Sequence, residues 1–327
     1  MRGGRRSVGR WAIDRVLLAL LVVAGVTVLT FVLIHIAPGD PVYLLAGDGG
    51  SPAYYAEMRG RYGLDRPLPE QLGRYLAAIA RFDLGYSFLF QAPVGRVLLE
   101  HAPASLLLGV SALLLGTLCG LSAGMASAVT HSRRIDALVR GTASALYAAP
   151  VFWTGQVLVL GLAVWAGIFP SGGMTTARES VTGFAWGVDV LWHLVLPTVT
   201  LAFPLAAVVA RVTRASMMDV MLEPFVLASS ARGVGWLRLV LRHALPNALV
   251  PVMTLIGQYA GQIAAGAALV EALFGWPGLG YLVLHASLHR DYPLVTAAFI
   301  GISASVVFFN ALTDFVCAWL DPRIRLA

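Results

Sequence analysis

Apolar residues in this chain run in long unbroken blocks, not in the short alternations of a water-soluble domain. Six stretches contain no Asp, Glu, Lys or Arg: Val16 to Ile36, Ala104 to Val129, Gly141 to Phe169, Val190 to Ala210, Ala244 to Val270 and Tyr292 to Thr313. About 20 such residues carry a helix across the hydrocarbon core of a bilayer, so each stretch predicts a span. An even number of spans puts both termini on one side. The expected layout is an all-α integral membrane protein: a tail over 1–15, a first span over 16–36, a long segment over 37–103, a five-helix core over 104–319 and a tail over 320–327.

Two connections are too long to be turns. In 37–103, Leu72, Tyr75, Leu76 and Ile79 recur at helical spacing behind Pro69, a residue suited to a first turn, which predicts a short amphipathic helix packed as a cap on the outer surface of the bundle. The other connection, 211–243, is rich in arginine. The loops with more Arg stay in the cytoplasm, which sets the orientation. Arg2, Arg5, Arg6, Arg10 and Arg15 precede the first block, and Arg133, Arg134 and Arg140 follow the second. Arg211, Arg214, Arg232, Arg238 and Arg242 fill the 211–243 connection, and Arg323 and Arg325 close the chain; together they make 15 of the 23 arginines. Both termini are therefore expected in the cytoplasm, with 37–103 outside. The first block follows a basic stretch as a secretory signal does, but it is longer than such an apolar region and no small-x-small cleavage site closes it.

Composition narrows the function. The chain is 58% hydrophobic and 12% charged, with a net charge of +6 and a mean hydropathy of +0.77. All the basic residues are arginine. A phosphate-binding P-loop needs a lysine, so ATP hydrolysis cannot occur on this chain and belongs to a partner. The arginines are scattered between apolar blocks, which argues against nucleic acid. Cys119 and Cys317 both sit inside apolar runs and form neither a disulfide framework nor a metal site. His285 and His289 are four apart, but two ligands do not make a metal centre. No catalytic constellation appears. Asp314 directly follows the last block, near the inner end of the sixth span, where an acid is costly; a pair with Arg211 or Arg214, or access to water, accounts for it best, and His35 is read alike.

The 211–243 connection carries a pattern. Glu223 and Pro224 start a short helix, Phe225 follows, Ala228, Ser229 and Ala231 keep it slim, and Arg232 and Gly233 end it before Leu245 and Pro246. With Ala228, Gly233, Leu245 and Pro246 in register, it resembles the cytoplasmic loop of permease subunits in ATP-binding-cassette importers. Leu227, Ser229 and His243 depart from that loop, so no ion pair to an ATPase is carried over from the position of its glutamate. Further stretches are similar to the dipeptide and oligopeptide branch in order and spacing: Pro38 to Pro41, Tyr62 to Leu68, Asp83 to Ser87, Glu271 to Gly280, Arg290 to Pro293 and Leu320 to Arg325.

The resemblance implies a type I importer permease fold and half of a peptide channel, with nickel, metal-chelate or glutathione uptake as the alternative. It implies a second homologous permease, two P-loop ATPases that bind ATP and Mg, and a periplasmic or lipid-anchored binding protein. It also places Glu271, Trp276, Pro277, Gly278 and Gly280 in a scoop at the outer mouth. Read from the residues alone, Trp276-Pro277-Gly278 is a turn with the tryptophan at the membrane interface, or a re-entrant segment. An ion-driven secondary transporter predicts charged residues inside several spans, which this sequence lacks.

Overall fold

The computed structural model describes residues 8–36, 51–62, 65–176 and 182–320. The turn at Pro38 to Pro41, Gly63 and Leu64, and the tail from Asp321 on lie outside the described residues, as do the side chains of His35 and Asp314. Helix α1 (Val8–Ile36) leads to α2 (Pro52–Tyr62) and α3 (Leu68–Ala80). A two-residue antiparallel ladder, β1 (Tyr86–Ser87) with β2 (Ala92–Pro93), pairs Tyr86 with Pro93 and Ser87 with Ala92. The core follows: α4 (Val94–Val129), α5 (Arg133–Ala148), α6 (Val151–Leu158) continued by a π-helix to Trp165, α7 (Phe184–Met221), α8 (Pro224–Ala231), a turn at Trp236–Arg238 with a π-helix over Leu239–Ala244, α9 (Leu245–Phe274), α10 (Leu279–Leu288) and α11 (Tyr292–Leu320).

The centre of the bundle is α4 packed on α7. Along α4 the buried positions Ala104, Leu108, Ala112, Gly116, Gly120 and Gly124 recur every fourth residue, which keeps them on one helix face. Glycine there is a requirement of distance. A Cβ on Gly120 would lie 2.6 Å from the Val209 Cβ and 2.8 Å from the Ala206 carbonyl oxygen, and one on Gly124 would lie 2.4 Å from the Ala210 carbonyl oxygen. In a bilayer, where lipid is as apolar as leucine, such close backbone approach is what holds helices together. Around this seam Leu108, Leu201, Leu205, Val209, Phe274 and Trp276 form the main core. A second core of Val94, Val97, Leu282, Leu294 and Val295 closes the end of the bundle where α4 begins. A third, of Met217, Val240, Ala244 and Ala248, closes the end where α4 stops. These are the Val94 end and the Val129 end.

Several boundaries differ from the sequence expectation, each for a local reason. The apolar block Gly141 to Phe169 is no single rod: α5 and the α6 segment meet at 105°. Pro150 causes the break, since it lacks a donor and forces Ala149 to extended geometry, φ −73° and ψ 130°. Helix α7 does not stop at Ala210 but continues to Met221, because nothing before Glu223-Pro224 breaks it; the first part of the expected loop is therefore helical. Helix α4 starts at Val94 and tolerates Pro103. Helix α9 runs to Phe274 and meets α10 at 76°. Among the described residues five straight helices are long and apolar enough to cross a membrane, and the two bent pairs raise the figure to seven; six lies between them. Helix α3 covers the predicted stripe, with Leu72, Tyr75, Leu76 and Ile79 half-buried and Tyr75 set 6.3 Å from Phe31 of α1.

Candidate functional site

Chemically distinctive residues gather at the two ends of the bundle. At the Val129 end, α8 forms an elbow. Glu223 is its N-cap and Pro224 its first residue, and no side chain caps it. Val226 and Ser229, three apart, are buried. The Ser229 hydroxyl donates to the Phe225 carbonyl at 2.8 Å, and Arg232 lies 3.4 Å from the Ser229 Oγ. Phe225 and Leu227 remain 42% and 57% exposed, so the elbow presents an apolar face that the described residues leave uncovered. Ala228, Ser230, Ala231 and Arg232 are exposed as well. The helix ends as its sequence suggests: Gly233 takes φ +80°, its N–H reaches the Ser230 carbonyl at 2.9 Å, and the Val234 N–H reaches that of Ser229 at 3.3 Å. Leu245 and Pro246 are not part of this elbow. They open α9 beyond the π-helical turn, where the Asn247 side chain donates to the His243 carbonyl at 2.8 Å.

Beside the elbow, Arg214 of α7 donates to both oxygens of Asp136, at 2.6 and 3.0 Å, and the Ser127 hydroxyl donates to the same carboxylate at 2.5 Å. Arg211 lies 4.4 Å over the ring of Tyr147. Arg214 is thus held by an acid that the sequence pattern did not single out; the expected pair of Arg211 or Arg214 with Asp314 falls on a side chain outside the described residues. The Arg214 guanidinium, joined by Ser127, lowers the Asp136 carboxyl to about 2. A carboxyl depressed below its unfolded value of about 3.9 contributes stability above that value and loses it as pH falls toward 2. The melting difference between wild type and Asp136→Asn is therefore expected to be the same at pH 8 as at pH 5, measured on detergent-solubilised protein; a difference that shrinks between these values contradicts the assignment.

At the Val94 end, the stretch Glu271 to Gly280 folds back on itself. Gly275, at φ +59°, ends α9. The Trp276 ring turns inward, fully buried, and its Nε1–H donates to the Ala104 carbonyl at 2.8 Å. This corrects the expectation of a tryptophan at the membrane interface and favours the re-entrant alternative. Glu271 is fully buried too. Its carboxylate accepts from the Gly280 N–H at 2.7 Å, the Tyr281 N–H at 3.0 Å and the Ser105 hydroxyl at 2.6 Å. Ser105 in turn accepts from the Leu279 N–H at 2.7 Å. The open donors at the start of α10 are thereby satisfied by one buried acid and one hydroxyl. Gly278 and Gly280 make room: a Cβ on Gly278 would lie 2.4 Å from the Glu271 carboxylate, and one on Gly280 2.3 Å from the Ala268 Cα. Pro277 fills the turn between the two helices.

The stretches Asp83 to Ser87 and Arg290 to Pro293, two hundred residues apart, meet here. Asp291 is 2% exposed and accepts from the Ser87 hydroxyl at 2.5 Å and the Leu89 N–H at 3.0 Å. His285 and His289 stack with centroids 4.8 Å apart, and among the described residues no group of three or more His, Cys, Asp or Glu could hold a metal.

This architecture is shared with a known membrane machine. A crystal structure described as an amino acid ABC transporter with histidines superposes with a TM-score of 0.51 at 15% identity, covering 73% of this chain and 100% of that one. The fold is thus that of an ABC transporter permease of the type I importer class. Residues 116–326 match the family described as binding-protein-dependent transport system inner membrane component, and residues 8–109 match its N-terminal model; the chain belongs to this family. The probable D,D-dipeptide transport system permease protein DdpB of Escherichia coli K12 is 38% identical over 321 residues, 93% of this chain and 94% of that protein. The dipeptide transport system permease protein DppB of the same strain is 34% identical over 92% of this chain and 94% of its own length. The di/tripeptide transport system permease protein DppB of Pseudomonas aeruginosa is 36% identical over the same shares.

Proposed function

We propose that this chain is one of two permease subunits lining the channel of an ATP-driven importer of dipeptides and short oligopeptides. The carrying observation is the elbow: a rigid helix tied to the bundle through Val226 and Ser229, with Phe225 and Leu227 turned outward at the end of the molecule richest in arginine. That arginine bias supports a cytoplasmic Val129 end and cytoplasmic termini. A cytoplasmic ATPase seats the exposed face of α8 in a groove, and closure of two such ATPases swings the elbow and the helices joined to it. The chain has no lysine for a P-loop, so ATP and Mg stay on those partners. Full-length similarity to relatives named for dipeptides and di/tripeptides supports the cargo. A soluble or lipid-anchored binding protein delivers that cargo to the Val94 end.

Liposomes holding the chain with its partner permease and ATPases, supplied with the binding protein, are expected to accumulate peptide only with ATP. Phe225→Asp combined with Leu227→Asp is expected to cut that uptake by about ten-fold or more, since aromatic and aliphatic anchors dominate such interfaces. Nickel-chelate uptake without peptide would reverse the cargo, and transport by the solitary chain under an ion gradient would sink the importer reading.

A further inference from the structure

Four helices of this chain end in one backbone figure, and they do not fill it alike. In each, one N–H reaches back five residues and the preceding N–H reaches back three, around a residue of positive φ. At α8 that residue is Gly233, φ +80°, and at α9 it is Gly275, φ +59°. At α3 it is Phe82, φ +60°: the Asp83 N–H bonds the Ala78 carbonyl at 3.0 Å and the Phe82 N–H that of Ile79 at 2.9 Å. At α10 it is Arg290, φ +53°, with the Asp291 N–H on the Ala286 carbonyl at 2.8 Å and the Arg290 N–H on that of Ser287 at 3.2 Å. Glycine suits this conformation and a residue with a Cβ is strained in it. Both exceptions lie at the Val94 end.

Neither side chain recovers the strain within the chain. Phe82 is 93% exposed. Arg290 is exposed, as is Arg81 beside Phe82, and among the described residues neither arginine has a carboxylate partner. The neighbouring acids are committed to the backbone: Asp83 accepts from the Gly85 N–H at 3.0 Å, and buried Asp291 holds Ser87 and Leu89. Those bonds also make one mount of the two sites. Asp291 adjoins Arg290, and Gly85, three residues beyond Phe82, lies against Pro293, whose Cβ would be 3.7 Å from a Cβ there. What faces outward from this mount is a phenyl ring with Arg81 next to it in the chain and Arg290 on the adjoining turn.

The mount also stands clear of lipid. The Val94 N–H, the first of α4, bonds the Gly85 carbonyl at 3.1 Å, and α4 has 36 residues, about 54 Å of helix against a hydrocarbon core of about 30 Å. Arg133 and Arg134, just past Val129, hold the other end at the interface, so the surplus emerges at the Val94 end. A ring exposed there meets water or a soluble protein rather than acyl chains.

We propose that Phe82, with Arg81 and Arg290 on the same mount, is a docking knob for the soluble substrate-binding protein, which receives the ring in an apolar pocket rimmed by carboxylates. This rests on the importer reading above and adds the surface and its chemistry. In nanodiscs holding the full permease–ATPase complex, Phe82→Gly and Arg290→Gly relieve the backbone, so the melting temperature stays the same or rises. Affinity for the purified binding protein falls about ten-fold with either change, and Arg290→Gly also flattens the loss of affinity with salt. Unchanged affinity in both variants overturns the proposal. So does a photocrosslinking benzoylphenylalanine at position 82 that couples to the second permease or to lipid instead of the binding protein. If the wild-type complex itself binds no soluble protein, the importer reading falls and this inference with it.

Discussion

Gly124→Leu is expected to remove the folded chain from the membrane almost entirely. Its first added carbon would sit 2.4 Å from the Ala210 carbonyl oxygen and 2.7 Å from the Thr213 Cβ. Backbone on a neighbouring helix cannot swing aside as a side-chain tip can. Overpacking by a few methylenes commonly costs about 1–3 kcal/mol, and here the whole α4/α7 seam must open, so the loss is expected at or above the top of that range. Gly120→Leu, against Val209 and Ala206, behaves alike. Gly73→Ala is the control: it has open space on α3 and gains up to about 1 kcal/mol of helix propensity. The readout is the yield of monodisperse protein after extraction and its melting temperature. Wild-type yield and melting from Gly124→Leu would mean that the seam is not packed as described.

Glu271→Ala is the second large effect, and it acts on a different part of the core. Truncation leaves the Gly280 and Tyr281 N–H groups and the Ser105 hydroxyl facing an apolar interior without their acceptor. Each orphaned buried donor costs about 1–3 kcal/mol, and together they are expected to cost about 3–5 kcal/mol while freeing α10 from α9. Glu271→Gln keeps one oxygen but points an amide at a donor, so an intermediate loss follows. Ser105→Ala combined with Glu271→Ala should cost less than the sum of the two single changes, because the two groups serve one network. Additive melting shifts in that cycle would show that the groups act separately. Peptide uptake should fall with stability across the series, since these bonds tie α10 to the end of α9 across the fold-back between Phe274 and Leu279.

Much of this was legible in the sequence, and the rest was hidden for definable reasons. Uninterrupted apolar blocks reveal spans because lipid demands them, so most of the core helices could be placed from composition alone. The elbow was also visible, since Glu223-Pro224 and Gly233 are start and stop signals that act locally. Hydropathy could not show the bend at Pro150, for Ala149 and Pro150 lie inside an apolar run. Nor could it reveal that α7 continues past Arg211, because arginine does not break a helix. The seam does carry a readable signal, glycine every fourth residue at positions 116, 120 and 124, which block hydropathy averages away. The stretch from Glu271 to Gly280 stands out in the sequence as a unit, but only the fold shows why: the acid caps the helix that follows it, and the glycines leave it room. The pairing of Asp136 with Arg214, and of Asp291 with Ser87, depends on distant segments meeting. No periodicity in one segment encodes such a partner.

The glycine spacing in α4 also restricts how the molecule can change shape. A zipper of backbone against backbone fixes which face is presented: rotating α4 about its own axis against α7 would drive side chains into the grooves now occupied by Gly116, Gly120 and Gly124. The two longest rods, α4 and α7, are therefore expected to move as a single beam between the Val129 end and the Val94 end, with the corners at Pro150 and Gly275 lying outside it.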